Sequence, residues 1–168
     1  MAARTLWRAW AAALALSGLL AGCGGDTFLV KEVPFAAPKP PGSGETLIYV
    51  FREMSDFAAV RKLAIIDNDT IVAVLTPGTF SHFTVPSGEH EIVGYFSPSP
   101  VMHYRVRPAP GRTVYLFCRV GYATGMFMEV MDEEKARSLM MQFNYTEIGV
   151  KGAKANMDYK AYYDKLYR

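Results

Sequence analysis

The sequence predicts an all-β fold, an antiparallel β-sandwich of about seven or eight strands. From residue 45 onward, short runs of β-branched and aromatic residues alternate with clusters of Gly, Pro, Asn and Ser, which is typical of strands joined by turns. The turn signals recur roughly every 8–12 residues, as in sandwiches and small barrels. No helical periodicity precedes residue 132, so strands form the body of a single domain.

The first 22 residues are predicted to be an export signal. Arg4 and Arg8 precede an apolar run from Trp10 to Leu20, which is too short for a membrane-spanning helix of roughly 20 residues. The ending Leu20-Ala-Gly-Cys23 resembles the lipobox of bacterial lipoproteins. This resemblance implies a lipid on Cys23, which would become the first mature residue. The alternative is a soluble secreted protein with a chance cysteine.

Residues 23–44 are predicted to be the lipidated cysteine and a proline-rich tether. Its prolines and its closing Gly42-Ser-Gly44 favour an extended, semi-rigid segment that reaches at most about 70 Å. Two apolar patches, at 28–30 and 33–35, indicate contact with the following domain rather than a purely flexible segment. The domain is predicted to span residues 45–149.

The order of the predicted strands follows the turn signals. Asn68 and Asp69 fit a two-residue hairpin, because these residue types tolerate a positive φ. The first strand is apolar on both faces, as expected for a strand inside a sandwich. The predicted strands are 46–52, 63–67, 70–75, 79–85, 89–96, 102–107, 113–122 and 126–130.

Two helices are predicted after the strands. Asp132 is a suitable N-cap, and the acidic residues that follow it favour a short amphipathic helix over 133–141. Residues 150–168 are predicted to form a C-terminal amphipathic helix, whose apolar stripe consists of Tyr159, Tyr162, Tyr163 and Leu166. We expect this helix to dock on its own domain, in preference to a partner or a membrane.

Charge and cysteine content limit the possible functions. Residues 1–22 contain two of the 18 basic side chains and none of the 16 acidic ones, so the mature chain is balanced and gives no basis for nucleic-acid binding. With Cys23 lipidated, Cys118 has no disulfide partner and is expected to be a small buried hydrophobe. No catalytic motif is found, and no cofactor is predicted.

Histidines and arginines are the remaining candidate site residues. If residues 85 and 89 paired across a hairpin, His82 and His90 would be diagonal neighbours about 7–8 Å apart. A metal would still need a third ligand, so an ordinary polar sheet face is favoured. A basic group could bind an anionic glycan or lipid headgroup, although charges on an edge strand need no function; it comprises Arg105, Arg107 and Arg112.

Six motifs follow one another between residues 45 and 140: Tyr49-Val-Phe-Arg52, Ile66-Asp67-Asn68, Val72-Ala-Val-Leu75, Gly78-Thr-Phe80, Val85-Pro-Ser-Gly-Glu-His90 and Gly111-Arg-Thr-Val-Tyr-Leu116. Their order and spacing resemble those of a family of small bacterial lipoproteins, domain of unknown function 2846. The resemblance implies an extracytoplasmic sandwich of immunoglobulin- or transthyretin-like type. It brings no catalytic residues.

The expected function is that of a non-catalytic binding or assembly module, held at the cell envelope by the lipid on Cys23. Gly24 after the cysteine resembles the signal for the periplasmic face of the outer membrane in a Gram-negative host. An envelope protein or a glycan is the expected partner. The alternatives are a carrier of a small ligand or lipid, with an interior cavity of roughly 300 Å³ or more, and an extracytoplasmic enzyme.

Overall fold

The computed structural model describes residues 30–68, 70–96, 99–121 and 125–148. Within these ranges the chain forms ten strands and one helix, and the predicted all-β sandwich is confirmed. The strands are β1 Val30–Glu32, β2 Glu45–Arg52, β3 Leu63–Asp67, β4 Thr70–Leu75, β5 Thr79–Pro86, β6 His90–Phe96, β7 Ser99–Val106, β8 Arg112–Gly121, β9 Gly125–Val130 and β10 Asn144–Ile148; the helix is α1 Glu133–Met140.

The strands are divided between a six-stranded sheet, in the order β1-β10-β5-β2-β8-β9, and a four-stranded sheet, in the order β4-β3-β6-β7. Most pairs are antiparallel, as predicted, but β2 pairs with β8 and β10 pairs with β5 in parallel. Parallel neighbours require a long crossover, and the chain between β2 and β8 provides one because it builds the whole second sheet. Strands β1 and β10 were not predicted.

The space between the sheets is filled by aliphatic side chains and a few larger ones. Its buried residues, all 9% exposed or less, are Ile48, Val50, Leu63, Ile65, Ala73, Leu75, Val85, Ile92, Phe96, Met102, Val106, Leu116, Cys118, Val120 and Met128. Alternation along β2 and β8 sends the intervening residues to the opposite, outer face of the six-stranded sheet. That outer face is also apolar, and α1 packs on it.

Two turns test the predicted connections. The β3–β4 hairpin is confirmed: Asp67 pairs with Thr70, and Asn68 has a φ of 42°. The hairpin assumed between β5 and β6 is wrong, because β5 belongs to the six-stranded sheet and β6 to the four-stranded one. The turn after Pro86 therefore carries the chain from one sheet to the other.

Helix α1 begins as predicted. The Asp132 side chain accepts a hydrogen bond from the Lys135 amide (2.7 Å), and Glu133 and Glu134 lie in the first turn. No helix in the described ranges is both long and apolar enough to cross a membrane. The predicted export signal, Cys23 and the predicted C-terminal helix at 150–168 lie outside the described residues.

Candidate binding site

Residues 33–41, here called the strap, cross the outer face of the six-stranded sheet. The Val33 amide donates to the Tyr145 carbonyl (3.1 Å), and the Phe35 ring lies 5.1 Å from that of Phe80 and 5.3 Å from that of Tyr145. From the sequence, this segment is predicted to be part of a tether and the domain to begin at residue 45. The packed chain begins earlier, because β1 pairs with β10 and the Phe35 ring contacts those of Phe80 and Tyr145.

Aromatic side chains form the surface beneath the strap and α1. On neighbouring strands, Tyr49 and Tyr115 stack with their ring centroids 5.4 Å apart. Phe51 and Phe80 stack in the same way at 5.3 Å. The Lys135 ammonium of α1 lies 5.2 Å from the centre of the Phe117 ring, a distance suited to a cation–π interaction.

A cleft of about 550 Å³ opens between the strap, the sheet and the start of α1. This volume lies within the usual range of small-molecule sites. The cleft is lined by Pro38, Pro40, Pro41, Leu47, Tyr49, Gly111, Arg112, Thr113, Tyr115, Met131, Glu133 and Arg137.

The polar groups of the cleft differ in their existing bonds. The Arg137 guanidinium donates to Oε1 of Glu133 through Nε (2.9 Å) and Nη2 (2.6 Å). Arg112 is exposed, and no carboxylate of the described residues lies within ion-pair distance of it. Burial raises the pKa of Tyr49 and Tyr115 above the ordinary value, so their hydroxyls remain hydrogen-bond donors at neutral pH.

The two histidines that were considered as metal ligands lie on different sheets. His82 projects from β5 beneath the strap, where its Nε2 lies within hydrogen-bond distance of the Tyr145 hydroxyl (3.2 Å) and burial lowers its pKa. Nδ1 of His90 lies 2.8 Å from the Asp67 carboxylate, and its Nε2 lies 2.8 Å from the Pro86 carbonyl. His90 thus links the β3–β4 hairpin to the turn that follows β5. No group of three metal-ligating side chains occurs within the described ranges.

The three arginines that were considered as an anion site are also separated. Arg105 and Arg107 extend from the four-stranded sheet and its following loop, where they pair with Glu91 and Glu89 respectively. Arg112 begins β8 in the other sheet and lines the cleft. Of the three arginines that were grouped from the sequence, Arg112 therefore lines the cleft, and the other two lie elsewhere.

Two buried polar residues belong to the fold rather than to the cleft. Arg52 is 1% exposed and donates to the carbonyls of Ala58 (2.9 Å), Arg61 (2.5 Å) and Leu75 (3.0 Å), and burial lowers its pKa to about 10. Burial raises the pKa of the neighbouring Cys118 to about 12. Its thiol therefore stays protonated and unreactive, and Cys118 is the small buried hydrophobe that the sequence predicted.

Comparison with known proteins assigns no family to the chain. No protein-family model matches the chain, and no curated protein matches it significantly. Among solved structures, the chain is similar to a protein from Eubacterium rectale determined by NMR. The match has 14% identity and a TM-score of 0.38, and covers 55% of this chain and 94% of the other.

Proposed function

We propose that this protein is a lipid-anchored, non-catalytic binding module of the bacterial cell envelope, and that its ligand occupies the cleft over Tyr49 and Tyr115. The observation that carries the binding role is the cleft itself. It has the volume of a ligand site, and its walls come from three separate parts of the chain: the strap, the sheet and α1. Such a site is held open by the packing of the whole outer face.

The anchoring role is supported by the lipobox-like Leu20-Ala-Gly-Cys23. Because β1 is paired to β10, only seven residue-to-residue steps, from Cys23 to Val30, separate a lipid from the sheet. At about 3.3 Å per residue they span at most about 23 Å, instead of the 70 Å available to a free tether. A lipidated Cys23 would therefore keep the cleft close to the membrane surface.

The two alternatives receive less support. A carrier that uses the sandwich interior needs space there, but the interior is filled by side chains of which the most exposed is 9% exposed. An enzyme needs a nucleophile or an acid–base pair. The described residues that line the cleft include one carboxylate, Glu133, which is hydrogen-bonded to Arg137, and they add no histidine, cysteine, serine or aspartate to it.

Anchoring can be tested by growing the full-length protein in a bacterial host with labelled palmitate. We expect label on the wild type, no label on Cys23→Ser, and full label on the matched control Cys118→Ala. A wild type that never incorporates the label would show that the protein is not a lipoprotein.

The binding role can be tested by a thermal-shift screen of neutral, cationic and anionic compounds. Thr113→Trp fills the cleft, whereas His103→Trp places the same bulk on an exposed position of β7 in the four-stranded sheet. We expect hits that stabilise the wild type and His103→Trp but not Thr113→Trp. Hits that are indifferent to Thr113→Trp, or a screen without hits, would contradict the proposed site.

A further inference from the structure

The polar side chains that line the cleft are mostly hydrogen-bond donors. Arg112 and Arg137 can only donate, and the hydroxyls of Tyr49, Tyr115 and Thr113 can each donate as well. Glu133, the one carboxylate of the lining, already accepts two bonds from Arg137 at a single oxygen. Ligands that present hydrogen-bond acceptors, and a negative charge above all, therefore match this surface.

Two arginines line the cleft, and Arg112 is the one whose charge is not paired with a glutamate of the described residues. Arg105, Arg107, Arg119 and Arg137 each pair with a glutamate. Arg112 makes no such pair among the described residues and lies at the edge of the cleft. Its guanidinium presents a planar fork of donors that suits the two oxygens of a carboxylate or a phosphate.

The rest of the lining is apolar. The strap contributes three prolines, and the sheet and the segment before α1 contribute Leu47 and Met131. An inorganic ion would leave these surfaces uncovered, whereas an organic ligand could bury part of its own apolar area against them. The cleft thus combines donor side chains with apolar ones.

We propose that the cleft binds an organic oxyanion, a carboxylate or a phosphate monoester joined to a short apolar body, with Arg112 as its main charge partner. This inference rests on the proposed binding function and specifies the ligand class. Arg137 and the tyrosyl hydroxyls supply further donors, and the strap prolines cover the apolar body.

Calorimetric titration of the mature, full-length protein tests the proposal. The probes are phenyl phosphate and benzoate, with benzyl alcohol as a neutral counterpart of similar size and inorganic phosphate as an anion without an apolar body. We expect at least one organic anion to bind about tenfold or more tightly than both comparison compounds. Whether phenyl phosphate or benzoate binds more tightly identifies the favoured anion.

Substitutions then locate the charge partner. Arg112→Gln replaces the guanidinium with a shorter, uncharged amide, and we expect it to weaken binding of the organic anion about tenfold without changing the melting temperature. The matched control Arg107→Gln removes an exposed arginine outside the cleft and should leave binding unchanged. Equal effects of the two substitutions would overturn the assignment of Arg112.

Other outcomes would overturn the ligand class. Benzyl alcohol or inorganic phosphate binding as tightly as the organic anions would do so, and so would the absence of binding by both anions. These failures are distinguishable from failure of the proposed function. A neutral compound that binds the wild type but not Thr113→Trp would still support a binding site in the cleft.

Discussion

The two faces of the six-stranded sheet are both apolar, but they are covered in different ways. The inner face meets the other sheet, is mainly aliphatic and is closed to solvent. The outer face is rich in aromatic rings, and within the described ranges it is covered by the short helix α1 and the strap, with a cleft between them. The inner face thus accounts for the stability of the sandwich, and the outer face provides a surface that a ligand can reach.

The difference also corrects the interpretation of β2. A strand of a two-layer sandwich has one interior face, so apolar residues on both of its faces indicate a further layer. In this protein, Ile48 and Val50 face the interior, and Leu47, Tyr49 and Phe51 face the strap and α1.

The largest effect is expected from truncation of the inner face. Leu116 is 0% exposed, whereas its neighbour Tyr115 on the same strand is only partly buried beneath α1. We expect Leu116→Ala to lower the free energy of unfolding by about 3–5 kcal/mol and Tyr115→Ala by clearly less, as measured by urea denaturation. Equal losses would contradict the contrast between the two faces.

The next effect concerns the buried arginine at the end of β2. Arg52→Met keeps an unbranched side chain but leaves three carbonyl oxygens without their donor. We expect a loss of about 3 kcal/mol, since each buried acceptor without a partner costs about 1–3 kcal/mol. The exposed Arg61→Met is the control, and a loss no greater than that of the control would mean that Arg52 does not hold the 53–62 loop.

Part of the fold could be predicted from the sequence, and part of it could not. Alternation and turn residues gave most strands and the start of α1, because their signals are local. Strand β10 was missed because its two apolar residues, Tyr145 and Ile148, are three positions apart and do not alternate, and β1 because three residues carry no periodicity. The cleft was missed because its walls are far apart in sequence. The role of Arg52 had one available signal, a charged residue ending an otherwise apolar strand.

A smaller effect is expected for the ring that ties the strap to the sheet. Phe35 contacts four aromatic rings but remains 38% exposed. We expect Phe35→Ala to cost about 1–2 kcal/mol and Phe35→Leu roughly half as much, as measured by thermal unfolding. A melting temperature for Phe35→Ala identical to that of the wild type would mean that the strap adds nothing to stability.

The smallest effect is expected from the histidine beneath the strap. Because burial lowers the pKa of His82 below 6.5, the unfolded chain takes up a proton at a higher pH than the folded one. The stability that the neutral His82 contributes is therefore complete above about pH 6.5 and is lost as the pH falls through the pKa of His82 in the folded protein. We expect His82→Gln to reduce the fall in melting temperature between pH 7 and pH 5. An unchanged fall would remove His82 as its cause.

Amide hydrogen exchange at Val33, followed by NMR, tests most directly whether the strap belongs to the domain and forms a wall of the cleft. The Val33 amide donates to the Tyr145 carbonyl of β10. We therefore expect it to be protected from exchange about as strongly as the paired amides of β10. Exchange at the rate of an unstructured chain would contradict it, since the strap would then be a free tether and the cleft would lose one of its walls.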